Sequence, residues 1–257
     1  MLADLRRRWI SARKQVVLYN ASKIFNPFFD LYTGGPNRPA FFDESSTYPA
    51  LLAVQAAYPD IRAEMEGILA DRAPIPRYHE LDGDLIYVSG RFDRDKRWSV
   101  FMLYSYGARP AANRRRCPKT CAVLDRIPGL VQAFFSILDG GKSIPAHEGP
   151  SRSYLRYHLA LRVPKSNPPS IRIKDSWRVW EEGKTLFFDD SWDHEIVNRS
   201  EEPRVVLIVD VLRPLPLVPH LLNLALFRIG RLYGRRILKA IDAHARGAGP
   251  EAEPLHL

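Results

Sequence analysis

Between residues 84 and 212 the chain is a succession of short β-prone runs, each closed by turn residues, and this rhythm restricts the fold more than any other feature. The runs expected as strands are Leu85–Ser89, Trp98–Tyr106, Val131–Leu138, Tyr154–Val163, Ser170–Ile173, Arg178–Trp180, Thr185–Phe188 and Arg204–Leu212. Their Val, Ile, Phe and Tyr side chains suit a pleated, half-buried surface. Many short strands at such spacing bury their faces by folding onto one another, as a sandwich, barrel or jelly roll. The expected fold class is mainly β with flanking helices.

The ends of the chain are helical in pattern. Leu51, Leu52, Val54, Ile61, Met65, Ile68 and Leu69 recur at helical spacing, and Pro49 and the Tyr58–Pro59 step divide them into two short helices. A third helix is expected at Lys119–Arg126, a basic helix over residues 1–24, and irregular chain from Phe25 to Phe42. After Pro219 the helical period returns, with Arg228, Arg231, Arg235 and Lys239 on one face and Leu226, Ile229, Leu232, Tyr233, Ile237 and Ile241 supplying apolar surface. This is the pattern of an interfacial amphipathic helix, or of a helix packed on its own domain. The chain thus divides into a basic N-terminal segment (1–45), a β-rich domain with its leading helices (46–214) and a basic C-terminal helix and tail (215–257).

Charge narrows the partners. The net charge is +9, yet residues 1–24 hold six Lys/Arg against one Asp, residues 213–257 hold seven against three acids, and the middle is balanced. No nucleic-acid partner is expected, because such an enzyme would carry its positive charge around a central site. Basic ends suit an anionic membrane surface. Arg6, Arg7, Arg8, Arg13 and Lys14 break up any signal-peptide core, and Pro216, Pro219, His220 and Asn223 interrupt the Leu-rich stretch from Leu215 to Phe227, which is too short to span a bilayer. Cys117 and Cys121 form neither a disulfide framework nor a good zinc site. The expected location is cytoplasmic, peripheral on the inner face of the membrane. Oligomeric state is not set by any of these features.

Chemistry gathers on histidines. Four of seven, His79, His147, His158 and His194, lie in the central region, where ligands from separate strands can converge. In Tyr154–Val163 the odd positions are all apolar while the even ones include Arg156, His158 and Arg162, so one face is core and the other polar. Arg204 opens an apolar strand and needs an anionic partner. A dicarboxylate would serve, as would Asp210 on the same strand face. His147, His158 and His194 together would suit zinc or a cupin-type metal. Arg109, with Arg114, Arg115 and Arg116, is a candidate contact for an acidic part of a substrate, or a solvated loop.

Several phrases occur in a particular order: Trp98-Ser99, Cys117-Pro118-Lys119-Thr120-Cys121, Phe135-Ser136-Ile137-Leu138, His147-Glu148-Gly149-Pro150, Leu155-Arg156-Tyr157-His158-Leu159, Trp180-Glu181-Glu182-Gly183-Lys184, Phe188 through Glu195, Arg204 and Val209-Asp210-Val211. That series resembles the aspartyl/asparaginyl β-hydroxylase family over about residues 97–214. The resemblance implies a double-stranded β-helix (jelly roll, cupin-like) and a dioxygenase that uses Fe(II), 2-oxoglutarate as cosubstrate and O2 to hydroxylate an unactivated C–H bond. It places the metal on His147 and His194 alone, with Gly149 where related enzymes carry a carboxylate ligand. It also implies that Ser136 and Arg204 hold the distal carboxylate of 2-oxoglutarate, and that Arg156 and His158 lie near its metal-binding end or the substrate. The family includes hydroxylases of lipid acyl chains and of Asp/Asn residues. The basic ends, Asn37-Arg38-Pro39 and Leu155-Arg156-Tyr157-His158 favour the lipid branch, with a peptide or amino-acid substrate and a non-catalytic binding protein as the alternatives.

Overall fold

A computed structural model of the chain describes residues 23–71, 75–82 and 96–245. The strand expected at Leu85–Ser89 and nearly all of the helix expected over residues 1–24 lie outside the described residues. Eight α-helices are described: α1 (Asn26–Thr33), α2 (Glu44–Thr47), α3 (Leu52–Ala56), α4 (Tyr58–Ala70), α5 (Tyr78–Leu81), α6 (Ala111–Arg116), α7 (Pro118–Leu124) and α8 (Leu217–Ala245). The described strands are β1 (Trp98–Ser105), β2 (Leu130–Leu138), β3 (Ile144–His147), β4 (Tyr154–Arg162), β5 (Ser170–Ile173), β6 (Ser176–Val179), β7 (Thr185–Phe188), β8 (His194–Val197) and β9 (Arg204–Leu212).

The strands form two antiparallel sheets, one ordered β1-β2-β9-β4-β7 and the other β3-β8-β5-β6. From β2 onward the chain passes repeatedly between them, so that the first and last strands of the series pair in one sheet and the second and second-to-last pair in the other. That winding is a double-stranded β-helix, a jelly roll that closes its core by pairing distant strands.

Period-two alternation sends each strand of the larger sheet into two cores. Phe135, Leu155, Tyr157, Leu159, Leu207 and Val209 face the helical layer of α3, α4 and α7. Phe134, Leu138, Ala160, Val206 and Ile208 face the smaller sheet and meet Ile144, Ile171, Ile173 and Ile196. The face of β4 that bears Arg156 and His158 is therefore the interior of the jelly roll rather than an exposed sheet surface. β9 is buried along its whole length, in keeping with its apolar run from Val205 to Val209.

The structure corrects three expectations. Phe25–Phe42 is not irregular throughout: α1 occupies its first half, ended by Gly34 in the left-handed region (φ 97°). Its second half runs along the free edge of β7, where Phe42 N–H donates to Phe187 O at 2.8 Å and Asp189 N–H donates to Ala40 O at 2.9 Å. The arginine run at 114–116 is the last turn of α6 instead of a loop. The sequence pattern also missed β3 and β8. Pro145 interrupts β3, which an edge strand with a register shift accommodates, and His194-Glu195-Ile196-Val197 is too short and polar to stand out.

Helix α8 lies against the β-core through Ile237 and Ile241, and its opposite face remains exposed. The docking is close at Gly234, where an added Cβ would stand 2.3 Å from the Ser105 carbonyl oxygen. Gly234→Ala is expected to cost about 1–3 kcal/mol through overpacking, despite the better helix propensity of Ala. Urea unfolding of the variant would measure this, and unchanged stability would show that α8 does not rest on β1 at this point.

Candidate metal centre

His147 ends β3 and His194 begins β8, and the register of the smaller sheet sets these two residues directly opposite each other. Their ring centroids are 4.1 Å apart with 48° between the planes. In each case Nδ1 lies 2.9 Å from a backbone carbonyl two residues earlier, Pro145 O for His147 and Trp192 O for His194. A carbonyl only accepts, so Nδ1 carries the proton and Nε2 keeps its lone pair. Burial holds both imidazoles below the usual histidine range, and for His194 the proximity of His147 adds to it. Two neutral imidazoles presenting bare Nε2 atoms are a ligand pair suited to a transition metal. No group of three or more His, Cys, Asp or Glu side chains placed to hold a metal exists among the described residues.

The cavity beside the two histidines is lined by Trp98, Ser136, Arg156, His158 and Arg204, with Ile144, Ile171, Ile196, Ile208 and Phe188 as apolar walls. Arg204 is wholly buried, and neither its Nε nor its Nη1 has a hydrogen-bond partner. Its guanidinium carbon lies 4.6 Å from the centroid of the Trp180 ring. Burial without an anion pulls this guanidinium down to about 9, still charged at neutral pH. Asp210 shares its strand face but is six residues on, roughly 20 Å along the strand at about 3.3 Å per residue, and it pairs with Arg156 instead. Ser136 Oγ accepts from Trp98 Nε1 at 2.9 Å, which leaves its own proton free to donate into the cavity.

His158 differs from the other two histidines. Its Nδ1 accepts from Trp180 Nε1 at 3.3 Å, which puts the proton on Nε2, and Nε2 is buried without a partner. This nitrogen offers a hydrogen-bond donor where a metal would need a lone pair. Burial, with Arg204 and Arg156 adding to it, holds the ring well below the usual histidine range.

Arg156 reaches the cavity under restraint. It makes a two-bond fork with Asp210, 2.8 Å on each arm, and its Nη1 lies 3.0 Å from Asp190 Oδ2. Tyr154 OH donates to the same Asp190 oxygen at 3.0 Å. Burial pushes the Asp190 carboxyl up to about 7 against the pull of Arg156. Asp190 went unrecognised in the sequence because it is one of several acids in Asp189-Asp190-Ser191-Trp192-Asp193. A side chain at Gly149 would put its Cβ 2.7 Å from Asp190 Cγ, so the packing of Asp190 closes this position to a carboxylate ligand. Arg109 is not brought to the cavity. It lies beyond the far end of β1, exposed, with Nη2 3.4 Å from Asp125 Oδ1.

The sequence profile described as "Aspartyl/Asparaginyl beta-hydroxylase" matches residues 55–214. An "Ornithine lipid ester-linked acyl 2-hydroxylase" of Rhizobium tropici is 36% identical over 209 residues, covering 81% of this chain and 72% of that protein. The "Aspartyl/asparaginyl beta-hydroxylase" of Homo sapiens is 38% identical over 122 residues, covering 46% of this chain and 16% of that much longer protein. Among solved structures, an RmlC-like cupin family protein with a double-stranded β-helix fold from Methanocaldococcus jannaschii overlaps 52% of this chain and 93% of its own, at 18% identity and a TM-score of 0.31. The fold assignment rests on the strand order rather than on that overlap.

The three buried histidines make stability pH-dependent in the metal-free protein. Each is held neutral in the fold, whereas in the unfolded chain each takes up a proton near pH 6.5, so the unfolded state binds more protons as pH falls below that value. Stability is therefore greatest above pH 6.5 and declines as the pH falls below it. Chelator-treated His158→Gln is expected to lose less stability than the parent between pH 7.5 and 5.5 in urea titrations. Identical losses would mean that His158 is charged in the fold.

Proposed function

Because the chain belongs to the aspartyl/asparaginyl β-hydroxylase family, we propose that it is a hydroxylase in which His147 and His194 hold Fe(II) and Arg204 receives 2-oxoglutarate. The buried, anion-free guanidinium of Arg204 carries this reading, since a charge sealed in a core needs a counter-charge and the cavity supplies none to it. The distal carboxylate of 2-oxoglutarate fits that need, with the Ser136 hydroxyl as a second donor. His158 Nε2–H and Arg156 then face the other carboxylate or the substrate. Bound here, Fe(II) with 2-oxoglutarate and O2 supplies the oxidising power to insert an oxygen atom into an unactivated C–H bond, releasing succinate and CO2. The chain's own residues orient the cosubstrate and keep water away from it.

The favoured substrate is an acyl chain of a membrane lipid. The R. tropici relative named for such a reaction aligns over most of this chain. Helix α8 adds a physical reason: Leu217, Val218, Leu221, Ile229 and Leu232 are all exposed, alongside exposed Arg228, Arg231, Arg235 and Lys239. Exposed apolar side chains interleaved with cations suit the interface of an anionic bilayer, here the inner face of the cytoplasmic membrane. No described helix is long and apolar enough to cross a membrane.

Anaerobic Fe(II) titration and succinate assays test the site. His147→Ala and His194→Ala are expected each to abolish metal binding while His158→Ala retains it, and equal loss in all three would replace the two-histidine site with a three-histidine one. Arg204→Met is expected to raise the KM for 2-oxoglutarate on the order of 100-fold, as for removal of a buried charge partner. Mass spectrometry of lipids and proteins from cells with active or His194→Ala enzyme identifies the substrate class. A gain of one oxygen on an acyl chain supports the lipid assignment, and one on Asp or Asn overturns it. With no turnover on either, the chain would be a binding protein. On anionic vesicles, the triple variant Arg228→Glu, Arg231→Glu, Arg235→Glu is expected to bind at least about tenfold more weakly, given roughly 1 kcal/mol per interfacial cation. Unchanged binding would remove α8 from the membrane contact.

A further inference from the structure

Arg38 comes from the N-terminal segment, far in sequence from either histidine, yet it is 4% exposed and all its donors are directed inward. Its Nε donates to Asp189 Oδ2 at 3.0 Å, and its Nη2 reaches Ser191 Oγ at 3.2 Å and Ser191 O at 3.3 Å. Nη1 ties back to Gly35 O at 3.0 Å, which anchors the group to its own turn. The guanidinium carbon lies 3.6 Å from the centroid of the Trp192 ring, and Lys174 Nζ is 4.4 Å from that centroid. Such planar stacking is specific to a guanidinium.

The loop gripped in this way touches both metal-site strands. The Trp192 carbonyl accepts from His194 Nδ1, and the Asp190 carbonyl accepts from Gly149 N–H at 2.8 Å, two residues past His147. Within the loop, Asp189 Oδ1 accepts from Ser191 N–H at 3.0 Å and Ser191 Oγ–H at 2.6 Å. We propose that Arg38 is a positioning residue for the metal centre: forked onto Asp189 and Ser191 and stacked on Trp192, it fixes the backbone carbonyl that orients the His194 ring. The inference rests on the reading of His147 and His194 as metal ligands.

Arg213 supplies the internal control. It holds the same Asp189 carboxylate from the other side, while its Nε donates to Arg152 O at 2.8 Å, away from Ser191 and Trp192. A purely structural role for the buried charge cluster would make the two arginines equivalent. A positioning role separates them.

The test uses the full-length protein and Co(II), titrated without oxygen and followed by its visible absorption, with thermal unfolding measured in parallel. Wild type is expected to bind Co(II). Arg38→Lys keeps the charge but loses the fork and the stack, and its Co(II) affinity is expected to fall about 10- to 100-fold with an altered visible spectrum, the usual effect of losing a group that orients a ligand. Arg213→Lys is expected to lose thermal stability while binding Co(II) within about threefold of wild type. Wild-type affinity in Arg38→Lys, or equal weakening in both variants, overturns the proposal. Trp192→Leu leaves the Arg38–Asp189 pair in place and decides the matter if Arg38→Lys does not fold: weakened binding supports the proposal and unchanged binding overturns it. Failure of wild type itself to bind would instead sink the assignment of the two histidines as ligands.

Discussion

Inward-pointing positions of the five-stranded sheet are sealed by the smaller sheet, so a charge placed on them has no water to turn to and must be met by another charge. The same holds for charges buried around the sheet, and among the described residues four arginines bear on it. Arg156 is met by Asp210 and Asp190, and Arg38 and Arg213 are both met by Asp189. Arg204 alone among these four arginines meets no carboxylate, and it shares the cavity of the paired histidines with Arg156. The carboxylate of the proposed cosubstrate would meet that charge.

Much of this was legible in the sequence. Strand β4 announced its two faces through apolar odd positions set against Arg156, His158 and Arg162, and β9 announced its burial through the apolar stretch that follows Arg204. The ordered phrases around His147, Arg156, His194 and Arg204 led to residues that the structure gathers around one cavity. The strands carrying the histidines were not legible, because β3 contains a proline and β8 is four residues long. Both are fixed by pairing with each other and with the rest of the smaller sheet, a long-range effect that local propensity does not encode. The partner of Arg204 was open for a similar reason. Asp210 has the right parity, and only the three-dimensional position of Arg156 shows that it is already engaged.

The proposed two-histidine site also has a packing basis. Gly149 stands where a third protein ligand would begin, but Asp190 presses against its Cα and accepts its N–H through the main chain. The space a side chain at 149 would need is taken by the Asp190 carboxyl group, which pairs with Arg156 and accepts from Tyr154 OH. The closing of position 149 to a larger side chain and the arginine network around Asp190 are thus one arrangement seen from two sides.

Each histidine of the pair takes its orienting hydrogen bond from the carbonyl two residues before it on its own chain. The ring therefore inherits its direction from the local course of the backbone, and that course is pinned by the sheet register on one side and by the loop at 189–193 on the other. Under the proposed reading, a metal ion would meet two rings already oriented and already in the tautomer that leaves Nε2 its lone pair. The entropy of ordering the two rings is thus met during folding and would not have to be met again on binding.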